Sequence, residues 1–265
     1  MDAMIDLHCH VLPGIDDGPA TLDQSLALAR ASAAGGVREI VATPHVSWDH
    51  PNEAGDIAER VEALNGHLRD AGIEVTVHAG AELAFTRIAD IPEGELAALA
   101  LGGGPWLLVE PPFTPSVVGL ENVVAGLRAR GHQVVLAHPE RCPAFQRDPE
   151  TLRRLVASGV ACSLTAGSFA GRFGRHVQRF SLALVAEDLV HNVASDAHDD
   201  QRRPPGIAEE LERAGLGELV PWAAEAVPAA MLAGEALPPR PEGIGAPVPA
   251  AGGLLSAVRR VARRR

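Results

Sequence analysis

The chain opens with histidines and acids at close spacing. In MIDLHCHVLPGIDDG, residues 4–18, His8 and His10 lie two apart at the end of an apolar run, and Asp16 and Asp17 follow in a glycine-bounded turn. Alternation along a strand puts His8 and His10 on one face and Cys9 on the other, which is the geometry of a chelate. The same kind of ending recurs along the chain. EIVATPH ends in His45, VTVHAGAE in Glu82 and PWLLVE in Glu110; QVVLAHPER carries His138, Glu140 and Arg141, and HNVASDAH closes on Asp196 and His198. Carboxylates gathered this way repel one another unless a cation lies between them.

Imidazoles mixed with carboxylates, without thiolates, suit Mn²⁺, Fe²⁺ or Zn²⁺ rather than Ca²⁺ or Cu⁺. The acids and histidines are too many for one ion, so two or three ions sharing bridging carboxylates fit better. Such clusters suit hydrolysis of phosphoesters. Arg141, beside His138, offers a planar fork of donors to a tetrahedral phosphate, and Arg203 is a second candidate. A cysteine nucleophile of the kind that needs arginine six residues on is disfavoured, because Ile15, Asp148 and Ser168 stand there after Cys9, Cys142 and Cys162. Three cysteines without ligand spacing also argue against a disulfide framework or a thiolate zinc site.

These residues need strands to align them. The apolar runs alternate with helical segments, the first opened by a capping box with Thr21 as cap and Gln24 three residues on. Repeated strand–helix alternation predicts parallel βαβ units in an α/β barrel, whose strand ends converge on one face. A barrel domain is expected over residues 1–236. Residues 237–265 read as a Pro/Gly-rich, flexible linker followed by a basic tail with Arg259, Arg260, Arg263, Arg264 and Arg265. No apolar run reaches the roughly 18 residues that a membrane-spanning helix needs, and no secretory signal is visible, so a cytoplasmic protein is expected. The net charge of −11 disfavours a nucleic-acid partner.

The motifs DLHCHVLPGIDDGP, ATPH, GAEL, HPER, TAGSFAGRFG and SDAH followed by RRPP resemble, in order, those of the bacterial PHP-type protein-tyrosine phosphatases, manganese-dependent enzymes of capsular and exopolysaccharide operons. The resemblance runs from Ile5 to about Pro205. It implies a distorted (β/α)7 TIM-like barrel and three Mn²⁺ ions. His8, His10, Glu82 and Asp196 would hold one ion; Glu82 would bridge to a second, completed by Glu110 and His138; Asp17, His45 and His198 would hold the third. Asp16 is then a turn residue or an acceptor behind the ligands. Arg141 and Arg203 match the phosphate-binding arginines, and His45 is a candidate proton donor. The implied substrate is a tyrosine-phosphorylated protein, a bacterial tyrosine kinase controlling capsule or exopolysaccharide synthesis; a homo-oligomer is compatible with the sequence.

Two other readings compete: a PHP phosphatase for a small phosphomonoester such as histidinol phosphate, and a metal-binding regulatory module without turnover. An amidohydrolase is disfavoured because the chain contains no lysine to bridge its metals. Trp48, Phe113 and Phe169 lie near motif ends where a phosphotyrosine ring could bind, though loop packing also accounts for them. His78, four residues before Glu82, could face the site by alternation.

Overall fold

A computed structural model describes residues 3–244, and the arginine-rich end of the chain lies outside the described residues. Nine strands and ten α-helices, with five short 3-10 or π segments, make up these residues. Strand β1 spans Met4–Cys9, β2 Val37–Ala42, β3 His45–Val46, β4 Thr76–Ala79 and β5 Glu82–Ala84; β6 spans Trp106–Glu110, β7 Gln133–Ala137, β8 Ala161–Thr165 and β9 Asn192–Ala194. Helix α1 spans Leu22–Ala34, α2 Ala54–Asp70, α3 Glu93–Ala98, α4 Leu120–Ala129 and α5 Pro143–Arg147. They are followed by α6 Pro149–Ala157, α7 Ala166–Phe169, α8 Arg175–Ala186, α9 Ile207–Arg213 and α10 Val227–Ala233.

The strands pair in parallel throughout, in two sheets ordered β1-β2-β4 and β3-β5-β6-β7-β8-β9. Parallel strands covered on both faces read as continuous apolar runs; β1, β8 and β9 are buried at every residue. The expected α/β architecture with parallel strands is present. A single closed sheet is not, among the described residues, and the breaks have local causes. Thr43-Pro44 separates β2 from β3, and proline has no N–H to give to a ladder. Gly80-Ala81 separates β4 from β5, and a Cβ on Gly80 would stand 2.7 Å from Val41 Cγ1. Hydrogen bonds span both gaps: Thr43 N donates to Cys9 O (3.0 Å) and Glu82 N to Pro44 O (3.1 Å). At its other edge β1 meets the segment after β9, where Asp196 N donates to His8 O (2.8 Å) and His10 N to Ala197 O (2.9 Å).

Helix α1 begins where the sequence indicates. Thr21 accepts from Gln24 N, and the Gln24 side chain returns to the Thr21 N–H, so two otherwise unpaired donors are satisfied. The start of the expected linker is seated on the body rather than free of it. Trp222 Nε1 donates to Pro238 O at 3.0 Å, Arg240 donates to Val185 O at 2.6 Å, and Leu237 and Ile244 pack against the core. No helix among the described residues is long and apolar enough to cross a membrane.

Candidate metal centre

The strand ends bring the predicted residues together. His8 lies at the end of β1 and His10 just after it, Glu82 opens β5, Glu110 ends β6, His138 follows β7, and Asp196 and His198 follow β9. At the middle lies the Glu82 carboxylate. It is fully buried, and its Oε2 has no hydrogen-bond partner, yet it lies 3.3 Å from His8 Nε2, 3.4 Å from His10 Nε2 and 3.1 Å from His45 Nδ1. The His8 and His10 Nε2 atoms are themselves 3.3 Å apart. An unpartnered buried oxygen costs free energy unless something satisfies it, and converging nitrogens and oxygens of this kind are what a divalent cation takes. The residues present therefore fit metal ions.

Three sets of donor atoms lie within 4.8 Å of one another: His10, Asp17, His45 and His198; His8, His10 and Glu82; His45, Glu82 and Glu110. The first contains the trio Asp17, His45 and His198, with His10 added. The second contains His8, His10 and Glu82; Asp196 Oδ1 lies just beyond, 3.4 Å from His8 Nε2 and 3.6 Å from His10 Nε2. In the third, His45 stands with the two glutamates, whereas His138 reaches Glu82 Oε1 at 2.8 Å and Glu110 Oε1 at 3.8 Å. His45 thus touches two sets, not one.

The arginines converge on a single oxygen. Arg141 Nη1 and Arg203 Nη2 both donate to Asp196 Oδ2, each at 2.6 Å. Asp196 turns one oxygen to the imidazoles and the other to the guanidinium groups. His138 and Asp196 have positive φ, 32° and 52°, a region disfavoured for side-chain-bearing residues. Such strain persists where surrounding structure enforces it and gathers at functional sites.

Charges at the centre shift accordingly. Burial opposes the His10 charge, but the hydrogen bond to Asp16 and the Glu82 carboxylate beside the ring outweigh it and raise its pKa to about 10. Burial, reinforced by the Glu82 charge, raises Glu110 to about 7. Burial lowers His138 to about 4, leaving a neutral imidazole with a free lone pair at neutral pH.

Behind these groups stand residues that orient them. Asp16 Oδ2 accepts from His10 Nδ1 at 2.7 Å, which turns Nε2 toward the centre, and Asp16 Oδ1 accepts from Gly18 N at 3.0 Å. This fits the expected acceptor role. Asp6, which the sequence analysis passed over, is buried and accepts from Ser195 N and His8 N, tying β1 to the Asp196 turn. An acid two residues before His8, on the same strand face, was the available signal. Glu140 Oε1 accepts from Thr165 N at 3.0 Å and Ser168 Oγ at 2.6 Å, so the TAGSFAGRFG segment is anchored to HPER. From the same segment Phe173 lies 4.3 Å beneath the Arg141 guanidinium; that contact was also missed.

Two expectations are corrected. Phe169 is wholly buried and cannot meet a substrate, because α7 turns it into the core. His78 pairs with Glu39 at 2.7 Å, because the break after Ala79 takes β4 out of line with Glu82. Trp48 and Phe113 remain exposed, and Phe113 stacks on His138.

The chain matches the family described as capsular polysaccharide synthesis, CpsB/CapC, over residues 4–214. It is 39% identical over 204 residues to the tyrosine-protein phosphatase YwqE of Bacillus subtilis, an alignment that covers 76% of this chain and 79% of YwqE. With the tyrosine-protein phosphatase CpsB of Streptococcus pneumoniae it shares 28% identity over 217 residues, 79% of this chain and 88% of CpsB. A crystal structure from work on those two proteins, described as unique metal-dependent tyrosine phosphatases, superposes with a TM-score of 0.80 at 32% identity. It covers 90% of this chain and 98% of its own.

Proposed function

Because this chain belongs to the CpsB/CapC family of capsular polysaccharide synthesis, we propose that it is a metal-dependent protein-tyrosine phosphatase that hydrolyses phosphotyrosine on a protein substrate. The observation that carries this reading is the buried, unpartnered Glu82 oxygen ringed by imidazole nitrogens, with two arginines on the adjoining Asp196. The substrate is a bacterial tyrosine kinase of a capsule or exopolysaccharide system, met in the cytoplasm. With no tyrosine of its own, the chain cannot be that kinase's target.

On this reading the two sheets are arcs of one distorted seven-stranded (β/α) barrel. β2 with β3, and β4 with β5, count as single interrupted strands, and the Cys9–Ala197 bridge supports closure. Three Mn²⁺ ions are assigned to His8, His10, Asp17, His45, Glu82, Glu110, His138, Asp196 and His198. When bound, the ions supply positive charge to the phosphoryl oxygens and acidify a water.

The chain's own residues do the rest. Arg141 and Arg203, gathered on Asp196 Oδ2, present fixed forks of N–H donors to the phosphate as charge builds on its oxygens. Phe173 beneath Arg141 limits where that fork can point. Asp16 holds the His10 ring by Nδ1, and His138, neutral at pH 7, turns its Nε2 to Glu82 Oε1. Phenolate, the leaving group, has a conjugate pKa near 10 and asks little of a general acid.

The test is turnover by the metal-stripped chain, with and without Mn²⁺, on a phosphotyrosine peptide, a phosphoserine peptide and histidinol phosphate. Mn²⁺-restored turnover of phosphotyrosine above the other two is expected. Preference for histidinol phosphate would overturn the substrate, and metal uptake without any turnover would overturn the enzyme.

A further inference from the structure

Among the described residues three large apolar side chains are exposed: Trp48, Phe113 and Val118, at 64%, 48% and 88%. All three lie on loops that leave the strands at the metal end. Trp48 follows β3, and Phe113 and Val118 lie between β6 and α4.

Phe113 is the one joined to the reacting groups. Its ring stacks on the His138 imidazole, with centroids 5.4 Å apart and planes 23° from parallel. The Arg141 guanidinium carbon lies 5.2 Å from the same ring. Phe113 therefore stands beside both a candidate metal ligand and a candidate phosphate-binding arginine, with nearly half of its surface open. Rings meet favourably in offset-stacked or edge-to-face pairs. An aryl group carried on a phosphate held by Arg141 would arrive beside this half-exposed ring; the methylene of a phosphoserine has no ring to place there.

We propose that Phe113 is a specificity-determining residue: its exposed part receives the aromatic ring of the phosphoester whose phosphate Arg141 binds, and so selects aryl over alkyl phosphates. The inference rests on the phosphotyrosine reading above and names the residue that would give that reading its selectivity.

The probes are phenylphosphonate and methylphosphonate, alike in the charged group and different in the ring. Each is titrated calorimetrically into the Mn²⁺-loaded full chain and into Phe113→Leu and Phe113→Trp. The parent is expected to bind phenylphosphonate the more tightly. Phe113→Leu should weaken phenylphosphonate about three- to tenfold, the worth of one aromatic pair, and methylphosphonate less than twofold; Phe113→Trp should retain the preference. Equal loss of both ligands would mean that Phe113 only supports His138 and Arg141, and would overturn the proposal. So would an undiminished preference in Phe113→Leu, or no preference in the parent. Phosphotyrosine turnover by the parent, measured separately, decides the functional reading on its own, so the two failures are distinguishable.

Discussion

Asp196 divides its carboxylate between two tasks, with Oδ1 toward the His8 and His10 imidazoles and Oδ2 toward Arg141 and Arg203. Its neighbour in the design is Asp16, which meets no candidate ligand set yet fixes the His10 ring. Asp16→Asn keeps the Oδ1 acceptor for Gly18 N but weakens the bond that orients His10. It should lower metal affinity roughly 10- to 100-fold, as loss of such an outer partner does, with little change in the circular-dichroism spectrum. Unchanged Mn²⁺ affinity by calorimetry would remove Asp16 from the account. Glu140 makes a different prediction. Burial raises its pKa from 4.5 to about 7, so between those values the folded chain holds a proton that the unfolded chain has released. Stability must then fall as pH rises from about 4.5 to 7 and level off above, by up to about 3 kcal/mol from this one group. In Glu140→Gln, metal-free, this part of the slope should vanish. Chemical denaturation at pH 5 and pH 8 reads it; a slope equal to the parent's would contradict the assignment.

At this scale most of the candidate ligands were legible because they stand at the ends of apolar runs, where a polar side chain has few structural reasons to be. Asp6 and Phe173 were not. Asp6 sits inside a strand where an acid looks like a solvated alternate, and its partner Ser195 is distant in sequence. Phe173 acts through a contact with Arg141 that no local pattern encodes.

Elements convert these side chains into a site through close approaches. The turn from β1 to α1 packs Gly18 against His10, so that a Cβ on Gly18 would collide with the His10 carbonyl oxygen and stand 3.0 Å from its Cβ. Backbone cannot give way as the end of a flexible side chain can. Gly18→Ala should therefore displace the Asp16–Asp17 turn, cutting Mn²⁺ affinity while α1, capped separately by Thr21, stays folded. Metal titration beside circular dichroism tests this; parental affinity in the variant would mean that the turn is not held by that contact. Strand–helix alternation was readable from the sequence, and so was the start of α1. The breaks at Thr43-Pro44 and Gly80-Ala81 were not anticipated. EIVATPH and VTVHAGAE read as single strands, because apolar periodicity is indifferent to whether a ladder shifts from one neighbour to another.

The molecule as a whole has two ends with different work. The candidate metal ligands gather where the strands finish, while a cavity of about 810 Å³ at the strand beginnings is lined by Trp106, Gln133 and Ala161 together with Leu237 and Arg240 of the C-terminal segment. A domain ending at residue 236, as composition indicates, would lose the Trp222–Pro238 and Arg240–Val185 hydrogen bonds and the packing of Leu237 and Ile244. Truncation after residue 236 should lower Tm by several degrees relative to the full chain, without changing kcat/KM on phosphotyrosine. An unchanged Tm would return the boundary to 236. Proline and glycine content marked this stretch as a linker because it lacks periodicity; the Val185 carbonyl that receives Arg240 lies 55 residues back in the sequence.

The central claim is that the metal centre and the two arginines together hydrolyse phosphotyrosine. It is tested most directly by titrating Mn²⁺ into the metal-stripped chain and into Arg141→Ala, recording bound metal and phosphotyrosine turnover in the same samples. The account predicts turnover in the parent that rises with occupancy of more than one ion. In the variant it predicts metal binding no weaker than the parent's, since Asp196 has lost a competitor, with kcat/KM down by about 10²- to 10³-fold. Turnover that needs no metal, or a metal-filled Arg141→Ala with parental kcat/KM, would contradict it.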